Sequence, residues 1–339
     1  MRGVLFGASA PWHGAAMVDD VLQMHGYAAV EPGPRLVVLG GVHGDDVCGT
    51  LAIERVLGEL ACGQLRLARG ELTLVPVANP LARRRGQREG QRNLNRSFRP
   101  SAMPADYEAR LTNLLCPVLA RHDVLLDLHS FQSAGEPFAM IGPRDNAGTL
   151  EPFARAREEG QLAAALGVPC VVESWLEIYA ARLARLGQAG DDAALAFGWG
   201  TKEYMRSVGG IAVTLECGQH RDPAAPETAY RAIHAALHLL GMSTQAVPAP
   251  QPAGRRVLQL ADVTDRLHAH DRFERDWVSF DPVRQGQTIG VRADGQVVVA
   301  ERDGYIVFPN AEAGVGSEWF YTAVDSARVL DDSAATPAR

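Results

Sequence analysis

The chain has 339 residues, 47% of them hydrophobic and 22% charged, with a formal net charge of −7. That length accommodates one large domain plus a smaller one, and the composition is ordinary for a globular chain rather than a disordered one. The acidic balance disfavours nucleic acid as a general partner, and no apolar run approaches the roughly 20 residues that a transmembrane helix needs.

At the N-terminus, Ala8-Ser9-Ala10 has the small-residue character of a signal cleavage site. The apolar stretch before it is too short for a signal peptide, so the expected location is cytoplasmic. Leu36 to Leu39 is an apolar run that predicts a short buried strand, and it leads into Gly40-Gly41-Val42-His43-Gly44-Asp45-Asp46. The glycines let the backbone turn tightly, and His43 with Asp46 three residues on offers an imidazole and a carboxylate to one ion. Asp45 is the alternative carboxylate. A lone histidine near a strand end is often a satisfied core or loop residue, so this corner gains meaning only from later segments. Residues 50–60 place Leu51, Ile53, Val56, Leu57 and Leu60 on one helix face, which stiffens the loop before it.

After a strand near 72–77 come Asn79-Pro80 and an arginine-rich stretch, Arg83, Arg84, Arg85, Arg88, Arg92, Arg96 and Arg99, interrupted by a single acid, Glu89. Arg84, Arg88, Arg92 and Arg96 have the spacing of a solvated helix face. Gly86, Gly90, Asn93 and Asn95 favour instead a loop that concentrates positive charge near an anionic substrate. A helix near 105–120 precedes the apolar strand 124–128, which delivers His129 at its carboxyl end, where α/β sheets place their chemistry. Asp127 lies on the same strand face and suits a hydrogen bond to that histidine. A helix over 150–166 and a strand over 169–172 follow. The strand 211–216 then ends in Glu216, Cys217 and Gly218, and a helix covers 228–240.

Such alternation predicts an α/β fold, a mixed and mostly parallel sheet with helices on both faces, over residues 1–242. The proline-rich stretch within 243–255 reads as an extended linker. Residues 256–339 read as a small β domain, with Asp294-Gly295 and Asp303-Gly304 as hairpin turns and a frayed end from Asp331. The five cysteines, Cys48, Cys62, Cys116, Cys170 and Cys217, form no CxxC pair and leave an odd one over. They fit reduced thiols rather than a disulfide framework. Cys217 beside Glu216 reads either as a nucleophile or as a small core residue.

The order G-G-x-H-G-x-D, N-P-x-A, R-x6-N-R, D-L-H and T-L-E-x-G resembles the succinylglutamate desuccinylase/aspartoacylase family of zinc carboxypeptidase-like hydrolases. The resemblance runs from about residue 35 to 220, and Ser279 to Tyr321 resembles the appended β domain of bacterial members. Two positions depart from the pattern: Asp46 stands where the family has Glu, and Asn93 where it has Asp. The resemblance implies one Zn2+ held by His43, Asp46 and His129, with an open position for water. It also implies Glu216 as the proton shuttle, Arg88 as the stabiliser of the developing oxyanion, and Asn95 with Arg96 as the grip on a substrate carboxylate. Asn93, in place of a carboxylate, would orient Arg96 more weakly. His220 is the remaining histidine nearest Glu216. The appended domain is expected to border the site, and the tyrosine that aspartoacylases place there has no clear counterpart.

The expected activity is therefore removal of an acyl group from an N-acyl amino acid or similar small carboxylated amide. A metallocarboxypeptidase acting on short peptides, and a degenerate homologue that binds a metabolite without turnover, are the alternatives. The expected partner is a small anionic substrate, with neither nucleic acid nor membrane, and assembly into a homo-oligomer stays open.

Overall fold

A computed structural model describes residues 21–245 and 254–331. The Ala8-Ser9-Ala10 segment, most of the predicted linker and the end beyond Asp331 lie outside the described residues. In chain order the elements are β1 (His25–Ala28), β2 (Arg35–Leu39), α1 (Val47–Cys62), β3 (Glu71–Val75), α2 (Pro80–Arg85), α3 (Tyr107–Ala120), β4 (Val124–Phe131), β5 (Phe138–Met140) and α4 (Ala156–Ala165). They continue with β6 (Cys170–Glu173), α5 (Trp175–Arg185), α6 (Asp192–Phe197), α7 (Thr201–Ser207), β7 (Ile211–Gln219) and α8 (Ala225–Leu239). The C-terminal strands are β8 (Arg256–Asp265), β9 (Arg272–Phe273), β10 (Pro282–Val283), β11 (Thr288–Val291), β12 (Val297–Val299), β13 (Gly304–Val307) and β14 (Glu318–Asp325).

The main sheet has eleven strands in the order β1-β3-β2-β4-β7-β5-β6-β8-β14-β13-β10. Strands β3, β2, β4 and β7 run parallel at its centre. Every residue of β4 is buried, and so is nearly all of β7, which is why these segments read as continuous apolar runs rather than alternating ones. Alternate residues of β2 feed opposite layers. Leu36 and Val38 pack in the core toward α1 and α8, while Val37 and Leu39 pack with Leu115 of α3 and Met205 of α7.

The chain leaves β2 for β3 on one side and returns to β4 on the other, so the carboxyl ends of β2 and β4 flank a crevice at a topological switch point. Strand β8 pairs in parallel with β6, and through it β14, β13 and β10 extend the main sheet. The remaining β9, β11 and β12 form a separate three-stranded sheet. Asp294-Gly295 does turn β11 into β12, with Gly295 at φ 90°. Asp303-Gly304 is not a hairpin turn, because β12 and β13 lie in different sheets; the Asp303 carboxylate instead accepts from Gln285 N and the Arg284 guanidinium.

Candidate metal centre and active site

The corner after β2 depends on glycine at two points. Gly41 sits at φ 58°, a conformation costly for residues with a Cβ. A Cβ on Gly44 would collide with the Ala82 carbonyl of α2. The turn carries His43 and then Asp46, the residue at the N-cap of α1. An aspartate there ordinarily caps the helix, yet this one makes no capping bond. Its carboxylate is directed elsewhere.

Asp46 Oδ2 lies 3.1 Å from His43 Nδ1 and 2.9 Å from His129 Nδ1, and the two ring nitrogens are 3.2 Å apart. All three side chains are buried. In a tetrahedral zinc site with bonds of about 2.0–2.1 Å, neighbouring ligand atoms lie about 3.3 Å apart, so this donor set fits a divalent ion after shifts of a few tenths of an ångström. The shorter arm of Asp46 reaches both imidazoles. Asp45 does not join them; its carboxylate points toward His220 Nε2 at 3.8 Å.

The electrostatics favour positive charge at the same point. Burial works to raise the Asp46 pKa, but hydrogen bonds from His129 and His43 outweigh it and hold the carboxyl well below its usual range. Burial likewise opposes charge on His129, and Asp127 and Asp46 overcome it to push that imidazole well up. His43 falls to about 3, chiefly through burial and then through Arg88. Buried carboxylates that hold a proton on an imidazole between them are equally suited to a cation.

The outer nitrogens are also occupied. His43 Nε2 lies 3.1 Å from Asn93 Oδ1, whose second contact is the Asn95 N–H at 2.9 Å. The Asn93 amide therefore faces His43, where the sequence reading had it orienting Arg96. His129 Nε2 lies 3.0 Å from Asp127 Oδ2, though off the hydrogen-bond line.

Register brings in Glu216. His129 of β4 and Glu216 of β7 are direct cross-strand partners. Glu216 is buried, and burial pushes its pKa up to about 8, with His129 and Arg88 pulling down and Asp46 and Asp127 pushing up. His43, His129, Glu216, Arg88, Asn95 and Arg96 line one cavity of about 210 Å3, with Asp46 enclosed behind it. Arg96 is braced by the Asn95 carbonyl at 2.9 Å and lies 5.3 Å above the Trp175 ring. Asn95 Oδ1 accepts from Thr201 N at 2.9 Å, which leaves its amide nitrogen as the donor for the cavity.

Beyond α2 the arginine segment is irregular rather than helical. Arg92 pins it through Asp106 and the Asn93 and Arg96 carbonyls, at 2.9, 3.0 and 2.7 Å. Cys217 is a buried thiol whose pKa is raised, chiefly by burial, the opposite of an activated nucleophile.

His220, singled out in the sequence as the histidine nearest Glu216, lines the cavity, and several further lining residues escaped sequence reasoning. His220 Nδ1 lies 2.8 Å from Ser130 Oγ and 3.3 Å from Asp46 Oδ1. Trp175 and Lys202 come from α5 and α7, neither of which the sequence reading assigned, with Lys202 Nζ 5.2 Å from the Trp175 ring. Glu318 and Tyr321 of β14 and Phe308 close the C-terminal side. Alternation along β14 was the available signal for Tyr321, since Phe320 packs into a different cluster.

A family model of the succinylglutamate desuccinylase/aspartoacylase catalytic domain matches residues 32–242. The chain belongs to this family. Its members are hydrolases, and solved structures share the fold. A succinylglutamate desuccinylase/aspartoacylase from Rhodobacter sphaeroides is 20% identical, with 90% of this chain and 88% of that one covered, at a TM-score of 0.69. The product-bound ectoine utilization protein from Ruegeria pomeroyi is 20% identical over 87% and 86%, at 0.62. An aspartoacylase family protein from Mesorhizobium loti is 20% identical over 91% and 90%, also at 0.62. Comparison with curated protein sequences gives no match. Among the described residues of this desuccinylase/aspartoacylase chain, no helix is long and apolar enough to cross a membrane.

Proposed function

We propose that this chain is a zinc-dependent amidohydrolase that removes the acyl group from a small N-acyl amino acid. The observation that carries the reading is the convergence of His43 Nδ1, Asp46 Oδ2 and His129 Nδ1 within 3.2 Å of one another, beside Glu216 on the adjacent strand. A zinc ion held by those atoms would supply a Lewis acid for the amide carbonyl and would acidify an attacking water toward pKa ~7.

Glu216 takes the proton from that water as its oxygen bonds to the carbonyl carbon. The same carboxyl then gives the proton to the amide nitrogen as the C–N bond breaks, and the second proton of the water passes from the new carboxyl group to the amine, leaving a carboxylate and an ammonium. Burial works to raise the Glu216 pKa, which makes its carboxylate a better base than a solvated one. Arg88, on the cavity wall, stabilises charge on the carbonyl oxygen. Arg96 binds the substrate carboxylate with its paired donors, and the Asn95 amide nitrogen adds another. Lys202 adds a further cation to the same cavity.

The cavity of about 210 Å3 is smaller than typical drug-sized pockets of roughly 300–1,000 Å3, which favours a small amide over a peptide. Zinc analysis together with hydrolysis of N-acetyl and N-succinyl amino acids, set against short peptides, tests the reading. The expected result is one zinc per chain and turnover of an acyl amino acid, with Glu216→Gln keeping the metal and losing ~10²–10⁴-fold in kcat. A zinc-loaded protein that cleaves no member of the panel would overturn it.

A further inference from the structure

We infer that Thr201 is a positioning residue that ties the metal centre to the substrate grip, an inference that rests on the zinc reading above. Thr201 is the first residue of α7 and is fully buried. Its hydroxyl donates to Asp127 Oδ2 at 2.5 Å, and its backbone N–H donates to Asn95 Oδ1 at 2.9 Å. Asp127 Oδ2 faces His129 Nε2, while Asn95 N donates to Asn93 Oδ1, which faces His43 Nε2.

These contacts close a ring, His43–Asn93–Asn95–Thr201–Asp127–His129, whose ends are the two candidate metal ligands. One residue thus serves both arms with different atoms. The approach is close: a Cβ on the preceding Gly200 would overlap the Asn95 amide.

The hydroxyl matters because Asp127 has few alternatives. The carboxylate is fully buried and its Oδ1 has no hydrogen-bond partner among the described residues. Without Thr201 Oγ1 it keeps only the off-line contact to His129 and is free to rotate about χ2, so its hold on the His129 ring slackens. Partners of ligand histidines typically contribute 10–100-fold in metal affinity when removed. Thr201 stands one bond further out, which sets the expectation at the lower end. Valine matches threonine in shape and lacks only the hydroxyl, while serine retains it. Neither substitution touches the backbone N–H that holds Asn95.

The test is zinc affinity of the apoprotein by competition with a chromophoric chelator, on wild type, Thr201→Val and Thr201→Ser, with kcat and KM measured on the zinc-saturated proteins. Expected are an affinity about tenfold weaker for Thr201→Val and within about threefold of wild type for Thr201→Ser, with KM nearly unchanged in both because the Asn95 arm is intact. Wild-type affinity in Thr201→Val overturns the inference alone, as does an equal loss in Thr201→Ser. A wild-type protein that takes up no zinc sinks the zinc reading itself and this inference with it.

Discussion

Arg206→Met removes a buried cation from among three carboxylates. The guanidinium is 1% exposed, with Nε 2.6 Å from Glu151 Oε1, Nη1 3.5 Å from Glu159 Oε2 and Nη2 3.4 Å from Glu203 Oε1. Lys202 Nζ, 3.7 Å from Glu203, stays and offsets part of the loss. Methionine replaces the apolar stem but not the guanidinium head, so what is lost is chiefly the charge and its hydrogen bonds to the three carboxylates. Breaking a buried ion pair from one side costs about 3–5 kcal/mol, a large share of the roughly 5–15 kcal/mol that holds a domain folded.

The sign with pH follows from proton linkage. Burial already raises the Glu151 pKa while Arg206 acts against it. Without the guanidinium, the buried Glu151 carboxyl holds its proton at a higher pH than in the unfolded chain, and stability falls as pH rises through that raised range. Urea unfolding followed by circular dichroism at pH 5 and pH 8 is the assay. The variant should lose about 3 kcal/mol or more at pH 8 and at least ~1 kcal/mol less at pH 5. Adding Glu151→Gln should recover part of the loss at pH 8. A loss below ~1 kcal/mol at pH 8, or an equal loss at both values, would refute the reading of Arg206 as the cation on which these buried carboxylates depend.

Arg96→Gln should raise KM about 10–100-fold for a carboxylated substrate with a smaller change in kcat, because a charge-assisted pair contributes to both ground and transition state; steady-state kinetics decide it, and an unchanged KM removes Arg96 from the grip. In the C-terminal region, burial works to raise the Asp271 pKa. Hydrogen bonds from Arg292 and from the backbone of Leu267, Ala293 and His268 outweigh it and hold the pKa down to about 2. That stabilisation is present above the unfolded value near 3.9 and fades as pH falls toward 2, so wild type should lose ~1 kcal/mol from this group between pH 5 and pH 3. Asp271→Asn should be less stable at pH 5 and show a flatter pH dependence. Equal slopes for the two proteins would count against it.

The central strands and the residues at their ends were legible in the sequence because a parallel strand buried on both faces must be apolar throughout, so His129 and Glu216 stand out where such runs stop. Gly41 and Gly44 were legible for a related reason: the corner after β2 needs a left-handed turn and a close approach to α2. The arginine segment announced its charge but not its partners. Asn93 was misread there because the direction of an amide in an irregular loop is fixed by what packs against it, here His43.

Local pattern therefore marked the candidate site residues, since apolar runs and glycine corners are properties of contiguous chain. Tertiary structure decided which of them meet. Strand order and register set His129 beside Glu216, helices α5 and α7 brought Trp175 and Lys202 to the wall, and the pairing of β8 with β6 delivered Tyr321. The seven residues of α7 leave little periodicity to read. Side-chain adjacency across a sheet depends on pairings that contiguous sequence does not encode.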